Sequence, residues 1–324
     1  MISHMKRFVV PSCLLAGLVA ISTLSAEVID SEKARFRVEV LADGLQQPWG
    51  IAELPGGDLL VTEKSGRLRM IRGRIKSGAW VDEENIFQAP ESESTSRGVH
   101  FGNRMDFGPD GMLYFTIGDR GSRPDPSNFA QKLDNAAGKC HRIHDERRIP
   151  DDNPFAGQAG AMASIWTYGN RNIQGLRFHP TTGLLWSTEH GPRGGDEVNI
   201  LRKGQNYGWP VVTYGINYNG TPISDKAEAP GMEPPVLQWT PSIAVAGIDF
   251  YFGDQFPKWK GNLFATALAH QKLVRMEIED NKITHQEILM ERTGRMRDVL
   301  AASDGSLLVV YDNPGKIVRM VPAT

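Results

Sequence analysis

Residues 174–191 read QGLRFHPTTGLLWSTEHG, and residues 297–312 read RDVLAASDGSLLVVYD. Each is an alternating strand, a turn built on Gly, and then an apolar, β-rich run. Alternation followed by turn chemistry is the signal of a hairpin. The pattern recurs in WGIAELPGGDLLVTE from Trp49 and in NRMDFGPDGMLYFTIGD from Asn103. A degenerate copy, AGIDFYFGDQFPKWKGNLFATAL, begins at Ala246. The copies start roughly 50 to 75 residues apart, room for a four-stranded unit and a long loop. That period predicts an all-β fold, a β-propeller. A β-sandwich could use the same strands but does not explain five similar hairpins. No amphipathic helical pattern competes. The segment Arg35 to Val40 is expected to pair with Lys316 to Val321, closing the ring and protecting its strand edges.

The N-terminus follows a different rule. Lys6 and Arg7 precede an apolar stretch from Phe8 to Leu24, and the small residues Ser25 and Ala26 follow. This is the pattern of a secretory signal peptide over residues 1–26, leaving 27–324 as a single β-propeller domain. The apolar core is too short for a stable membrane insertion, so a periplasmic or secreted protein is expected. Cleavage there would leave one cysteine, Cys140, which cannot form an internal disulfide and reads as a buried apolar residue. The chain carries 36 Lys and Arg against 38 Asp and Glu, with no basic stripe, which argues against a nucleic-acid partner.

The richest chemistry lies in EHGPRGGDEVNILRKGQNYGWP, from Glu189 to Pro210. Gly and Pro exclude a helix interior here. Tight turns would aim backbone carbonyls and the acids Asp196 and Glu197 at one place, an all-oxygen arrangement suited to calcium. A Gly-rich surface loop with solvated acids is the plain alternative. His100, in GVHFGNR, is either a hydrogen-bonded structural residue or a general base. Arg171 and Asn172 stand at the start of a strand. Arg295 and Arg297 alternate in GRMRD, and two cations on one strand face repel unless an anion lies between them. Asp119 and the Asp151–Asp152 pair read as turn acids, and Trp166, Trp186 and Trp209 as blade packing.

The spacing of E-H-G-P-x-x-x-D-E-x-N before G-x-N-Y-G-W-P resembles the signature of the soluble PQQ-dependent aldose sugar dehydrogenases, the glucose/sorbosone dehydrogenase family. The resemblance runs from about Val38 to Val321. It implies a six-bladed propeller that oxidises the C1 hydroxyl of an aldose sugar to a lactone, passing hydride to the quinone PQQ and then electrons to an unidentified acceptor. By the same resemblance His100 takes the proton, while Arg171 and Asn172 face the quinone. Arg295 and Arg297 would hold its carboxylates. Gly191 and Pro192 would present carbonyls to a calcium against PQQ, and Glu197 and Tyr207 would serve a second calcium, Tyr207 through its carbonyl.

Three departures stand out. About 50 residues of the family pattern are absent between Ile71 and the copy at Asn103, truncating the second blade and removing a Gln of the cofactor site. A family Lys is replaced by Ala269, with His270 and Lys272 nearby. Val99 stands where some relatives carry a carboxylate before the His. A non-catalytic binding propeller and a calcium-dependent hydrolase such as a lactonase, neither using PQQ, are the rival expectations. The second has no evident use for two adjacent cations.

Overall fold

A computed structural model describes residues 28–53, 59–63, 69–76, 79–90, 98–122, 124 and 127–323. The leader expected over residues 1–26 lies outside them. Strands β1 (Val28–Asp30) and β2 (Arg35–Ala42) come first. They are followed by β3 (Pro48–Glu53), β4 (Leu59–Glu63), β5 (Arg69–Lys76) and β6 (Ala79–Gln88). One unit comprises β7 (Met105–Phe107), β8 (Leu113–Ile117), β9 (Lys139–Ile143) and β10 (Ile165–Tyr168). The next comprises β11 (Ile173–Phe178), β12 (Leu185–Glu189), β13 (Asp196–Leu201) and β14 (Leu237–Trp239). A third comprises β15 (Val245–Tyr251), β16 (Asn262–Ala267), β17 (Leu273–Glu279) and β18 (Lys282–Met290). The last strands are β19 (Arg295–Ala301), β20 (Leu307–Asn313) and β21 (Gly315–Pro322).

Each of the three central units is a four-stranded antiparallel sheet in chain order. The N-terminal strand completes the final sheet, in the order β1-β2-β21-β20-β19. Arg37 faces Val321 and Val40 faces Val318, so the expected pairing of the chain ends is present. The turn chemistry is visible at Gly111, whose φ of +74° a side chain would resist, while Asp110 Oδ1 accepts the Met112 amide at 3.1 Å. The inner strands β7, β11, β15, β19 and β3 stand side by side in that order. Apolar side chains fill the wedges between sheets. Trp186, Val198, Ile248, Phe250 and Leu263 form one such cluster. Four of the five inner strands, β3, β11, β15 and β19, carry a register shift at or near their first residues. Such bulges re-aim side chains, and here they gather at one end of the ring.

The second blade is a stub. Among the described residues β3–β4 and β5–β6 form separate two-stranded sheets. Tyr114 of β8 packs towards Ile173 and Leu176, so alternation turns Leu113, Phe115 and Ile117 towards the position of the second blade. Ile86 and Phe87 of β6 cover them, with the Phe87 and Phe115 rings 4.8 Å apart. Among the described residues the inner strand beside them has no such cover. Asp106 accepts the Phe178 amide at 2.8 Å, and its neighbours Met105 and Phe107 point the other way, 50% and 58% exposed.

Candidate active site

The inner strands begin, and the second strands finish, at the same end of the ring, and the candidate residues meet there. His100 lies in the loop before β7, in left-handed backbone with φ of +52°. Its Nδ1 stands 2.5 Å from Oδ1 of Asp119, two residues beyond β8. A side chain at Gly118 would collide with the His100 carbonyl, so glycine there lets the two segments touch. Asp119 is fully buried and is more than a turn acid: the orienting partner that Val99 cannot supply is this carboxylate. Its Oδ1 also accepts the Gly121 amide at 2.9 Å, and its Oδ2 accepts the indole N–H of Trp209 at 2.8 Å. Burial works to raise the Asp119 carboxyl. The hydrogen bond and charge of His100, with Arg171 and the Gly121 amide, outweigh it and hold the group below the usual carboxylate range.

Arg171 and Asn172 sit just before β11. The Arg171 guanidinium donates to the carbonyls of His190 and Gly191 at 2.8 and 2.9 Å and lies 5.1 Å from the centre of the Trp209 ring. Asn172 Oδ1 accepts from the Gly102 amide at 3.1 Å and from Gln174 Nε2 at 3.1 Å. Gln174 in turn accepts from Arg297 at 3.2 Å. One buried polar layer therefore joins the His100 loop, β11 and β19. Arg297 also lies 4.1 Å from the centre of the Trp49 ring and donates to Asp312 at 2.8 Å. Burial pushes its guanidinium down to about 10. Arg295, 3.2 Å from the same carboxylate, is more exposed. The anion expected between the two cations is thus supplied first by the protein's own Asp312.

A second group of oxygens adjoins this layer. Glu189 and Glu197 face each other across β12 and β13. Glu189 accepts the Arg171 amide and the side chain of Asn170, and Glu197 accepts Asn199 Nδ2 at 3.0 Å. Burial pushes both carboxyls upward, aided at Glu189 by the charge of Asp119 and at Glu197, which rises to about 8, by the charges of Glu189 and Asp196. Asp196, by contrast, is a fastener: it accepts from Gly191 N, Ser242 Oγ and Val245 N. Pro192 follows Gly191 in the buried loop. The Tyr207 phenol is committed to Ile200 and Arg202, so a ligand from this residue would have to be its carbonyl.

His190 joins the group from the same loop. Burial, with the charges of Arg297, Arg171 and His100, pushes its imidazole down to about 3, so it is neutral. Among the described residues, three buried nitrogens here, Arg171 Nε, His190 Nε2 and Arg297 Nε, lack a hydrogen-bond partner. Neither candidate replacement for the family Lys reaches them by a direct bond in the structure: Lys272 pairs with Glu291 at 3.1 Å, and His270 is exposed. Glu32, Glu277 and His285 also converge, but on the outer rim, where Arg275 and Lys33 already supply positive charge.

Sequence reading located His100, Arg171, Asn172, Arg297, Gly191 and Glu197, which the fold brings to one end. It missed Asp119, Gln174, Glu189, His190, Trp209 and Asp312. The available signal was positional for Asp119, Gln174, Glu189, His190 and Asp312, which lie at or within two residues of strand ends; Trp209, in the loop after β13, had no such signal.

Fold and site together define a propeller of the sugar dehydrogenase type, with a His–Asp pair and an arginine-rich layer at the head of its inner strands. The chain belongs to the glucose/sorbosone dehydrogenase family, which it matches over residues 72–319. It is 45% identical to the aldose sugar dehydrogenase YliI of Escherichia coli over 245 residues, 74% of this chain and 64% of that protein. It is 27% identical to quinoprotein glucose dehydrogenase B of Acinetobacter calcoaceticus, over 68% of this chain and 60% of that one. In each case the match spans less than two thirds of the relative. The crystal structure of the soluble aldose sugar dehydrogenase from Escherichia coli in its apo form superposes with a TM-score of 0.81 at 34% identity, covering 89% of this chain and 100% of that one.

Proposed function

We propose that this protein oxidises aldose sugars at the C1 hydroxyl to lactones, using PQQ and calcium. The observation that carries the reading is the His100–Asp119 pair beside the buried, partnerless nitrogens of Arg171, His190 and Arg297. With Nδ1–H donated to Asp119, Nε2 of His100 is the basic nitrogen and accepts the proton of the sugar hydroxyl. Asp119 fixes the ring and steadies the imidazolium that results. Its own partners, Trp209 and Gly121, keep it from rotating away.

The residues fit both groups. Arg171, Asn172, His190 and Arg297 would hold PQQ, and Arg295 would meet it nearer the solvent. Gly191 and Pro192 would present carbonyls to one calcium. Glu189, which is buried, and Glu197, which is half-buried, pair with no Lys or Arg side chain among the described residues and suit a second with the Tyr207 carbonyl. When bound, PQQ supplies the electron acceptor that no side chain can, and calcium supplies Lewis acidity. The site's nitrogens orient the sugar and balance developing negative charge. The electrons leave to an acceptor not identified here. Residues 1–26 read as a leader, so the reaction is placed outside the cytoplasm. No helix among the described residues is long and apolar enough to cross a membrane.

A second reading, a sugar-binding propeller without turnover, is favoured by the stub of the second blade and by Ala269. Titration of the purified protein with PQQ and calcium, with dye reduction by a panel of aldoses, separates the two. Saturable turnover is expected. No PQQ binding at micromolar concentration would sink the enzyme reading.

A further inference from the structure

Trp209 belongs to a motif whose tryptophan reads as packing, yet its indole reaches two residues of the proposed chemistry. Its N–H donates to Asp119 Oδ2 at 2.8 Å, and its ring lies 5.1 Å from the Arg171 guanidinium. The tryptophan is itself clamped. Its amide donates to the Gly169 carbonyl at 2.8 Å, and its carbonyl accepts Gln131 Nε2 at 2.7 Å. The Asp119 carboxylate is held differently at its two oxygens. Oδ1 takes His100 and the Gly121 amide; Oδ2 takes Trp209 and, at 3.4 Å, Asn128. The indole is the shorter contact on Oδ2, and it comes from a segment that crosses over from the next sheet.

We infer that Trp209 is a positioning residue for proton transfer: its indole N–H sets the rotation of the Asp119 carboxylate and draws charge from Oδ1, and so governs how His100 is held. A buried hydrogen bond to a carboxylate is charge-assisted and about twice as strong as a neutral one. Without it, negative charge concentrates on the oxygen facing His100, and the charged imidazole is favoured more. Other titratable or charged groups facing this pair are Arg120, Arg171, Glu189 and His190, and none is altered in the variants below.

The kinetic consequence rests on the dehydrogenase reading; the spectroscopic one does not. Trp209→Phe keeps a ring beneath Arg171 but removes the N–H. Replacing Trp209 by benzothienylalanine keeps the full bicyclic shape and removes only the donor, so it decides the matter should the Phe variant fold poorly. In the protein without cofactor, the downfield Nδ1–H proton resonance of His100 is expected to move in both variants. In the loaded enzyme, the acidic limb of kcat/KM against pH is expected to move up by about half a unit or more. An unmoved resonance in the benzothienyl variant would overturn the inference and leave Trp209 as packing. So would a rate that falls equally at every pH. A shifted resonance in a protein that shows no turnover would uphold the positioning role and count against the proposed activity alone.

Discussion

Oδ1 of Asp119 lies 2.5 Å from Nδ1 of His100, although 19 positions separate them in the chain. The carboxylate is buried, and the imidazole is 20% exposed at its side chain. An imidazole that faces the solvent is therefore held by a carboxylate that solvent cannot reach. Asp119→Asn should keep the fold, present the wrong hydrogen-bonding partner to Nδ1, and lower kcat/KM by about 10²–10⁴-fold. Steady-state kinetics with an unchanged circular dichroism spectrum is the check.

The same pair carries a pH signature. The Asp119 carboxyl is depressed in the folded state, so it contributes stability that is present above the ordinary Asp value of about 3.9. That contribution disappears as pH falls through the lower, folded value. The stability difference between the native protein and Asp119→Asn should hold near neutral pH and shrink below about pH 4. Urea unfolding at a series of pH values measures it.

Glu189 and Glu197 predict the opposite trend. Their carboxyls are raised in the fold, so without a cation they favour folding at low pH and lose that contribution as pH rises through the raised values. Calcium should relieve the repulsion. Its addition should raise the melting temperature more at pH 8 than at pH 5, and Glu197→Gln should abolish most of the gain. Differential scanning calorimetry with calcium and with a chelator tests this.

Arg297 is pinned by Asp312, Gln174 and the Trp49 ring. Arg297→Ala would leave a mostly buried carboxylate without its partner, a change that costs about 3–5 kcal/mol when the pair is fully buried. PQQ affinity should fall with it. Arg295→Ala, at a more exposed position, should weaken PQQ binding while leaving the melting temperature nearly unchanged.

The open flank yields a test of its own. Met105 and Phe107 are half exposed where a closed ring would bury them. Met105→Thr with Phe107→Thr should change stability by no more than about 0.5 kcal/mol, the scale of surface substitutions. The double variant should also bind less of a hydrophobic dye. A loss of several kcal/mol would show that the flank is covered in solution.

How much of this was legible beforehand follows physical lines. Hairpins are local, so PDG at Pro109–Gly111 and TTG at Thr181–Gly183 disclosed the blades without any tertiary information. The pairing of β2 with β21 was legible because unpaired edges are costly and both segments alternate. Candidates inside a dense motif, such as Glu197, could be named from the motif and the family it resembles. Asp119, Gln174 and Asp312 could not, because their partners (His100 and Trp209 for Asp119, Arg297 for Gln174 and Asp312) lie 15 or more positions away and nothing local marks the pairing. The Arg295–Arg297 pair shows the limit most plainly: repulsion correctly demanded an anion, but nothing in the local sequence said that Asp312 would provide it.

The first and last strands of the ring lie in one sheet, with Val40 opposite Val318. Synthesis therefore leaves this sheet incomplete until almost the whole chain has emerged. Arg297, which heads β19 in that same sheet, cannot reach its final setting before then. Any ligand that needs Arg297 in place could thus be held only after the tail of the chain had been made.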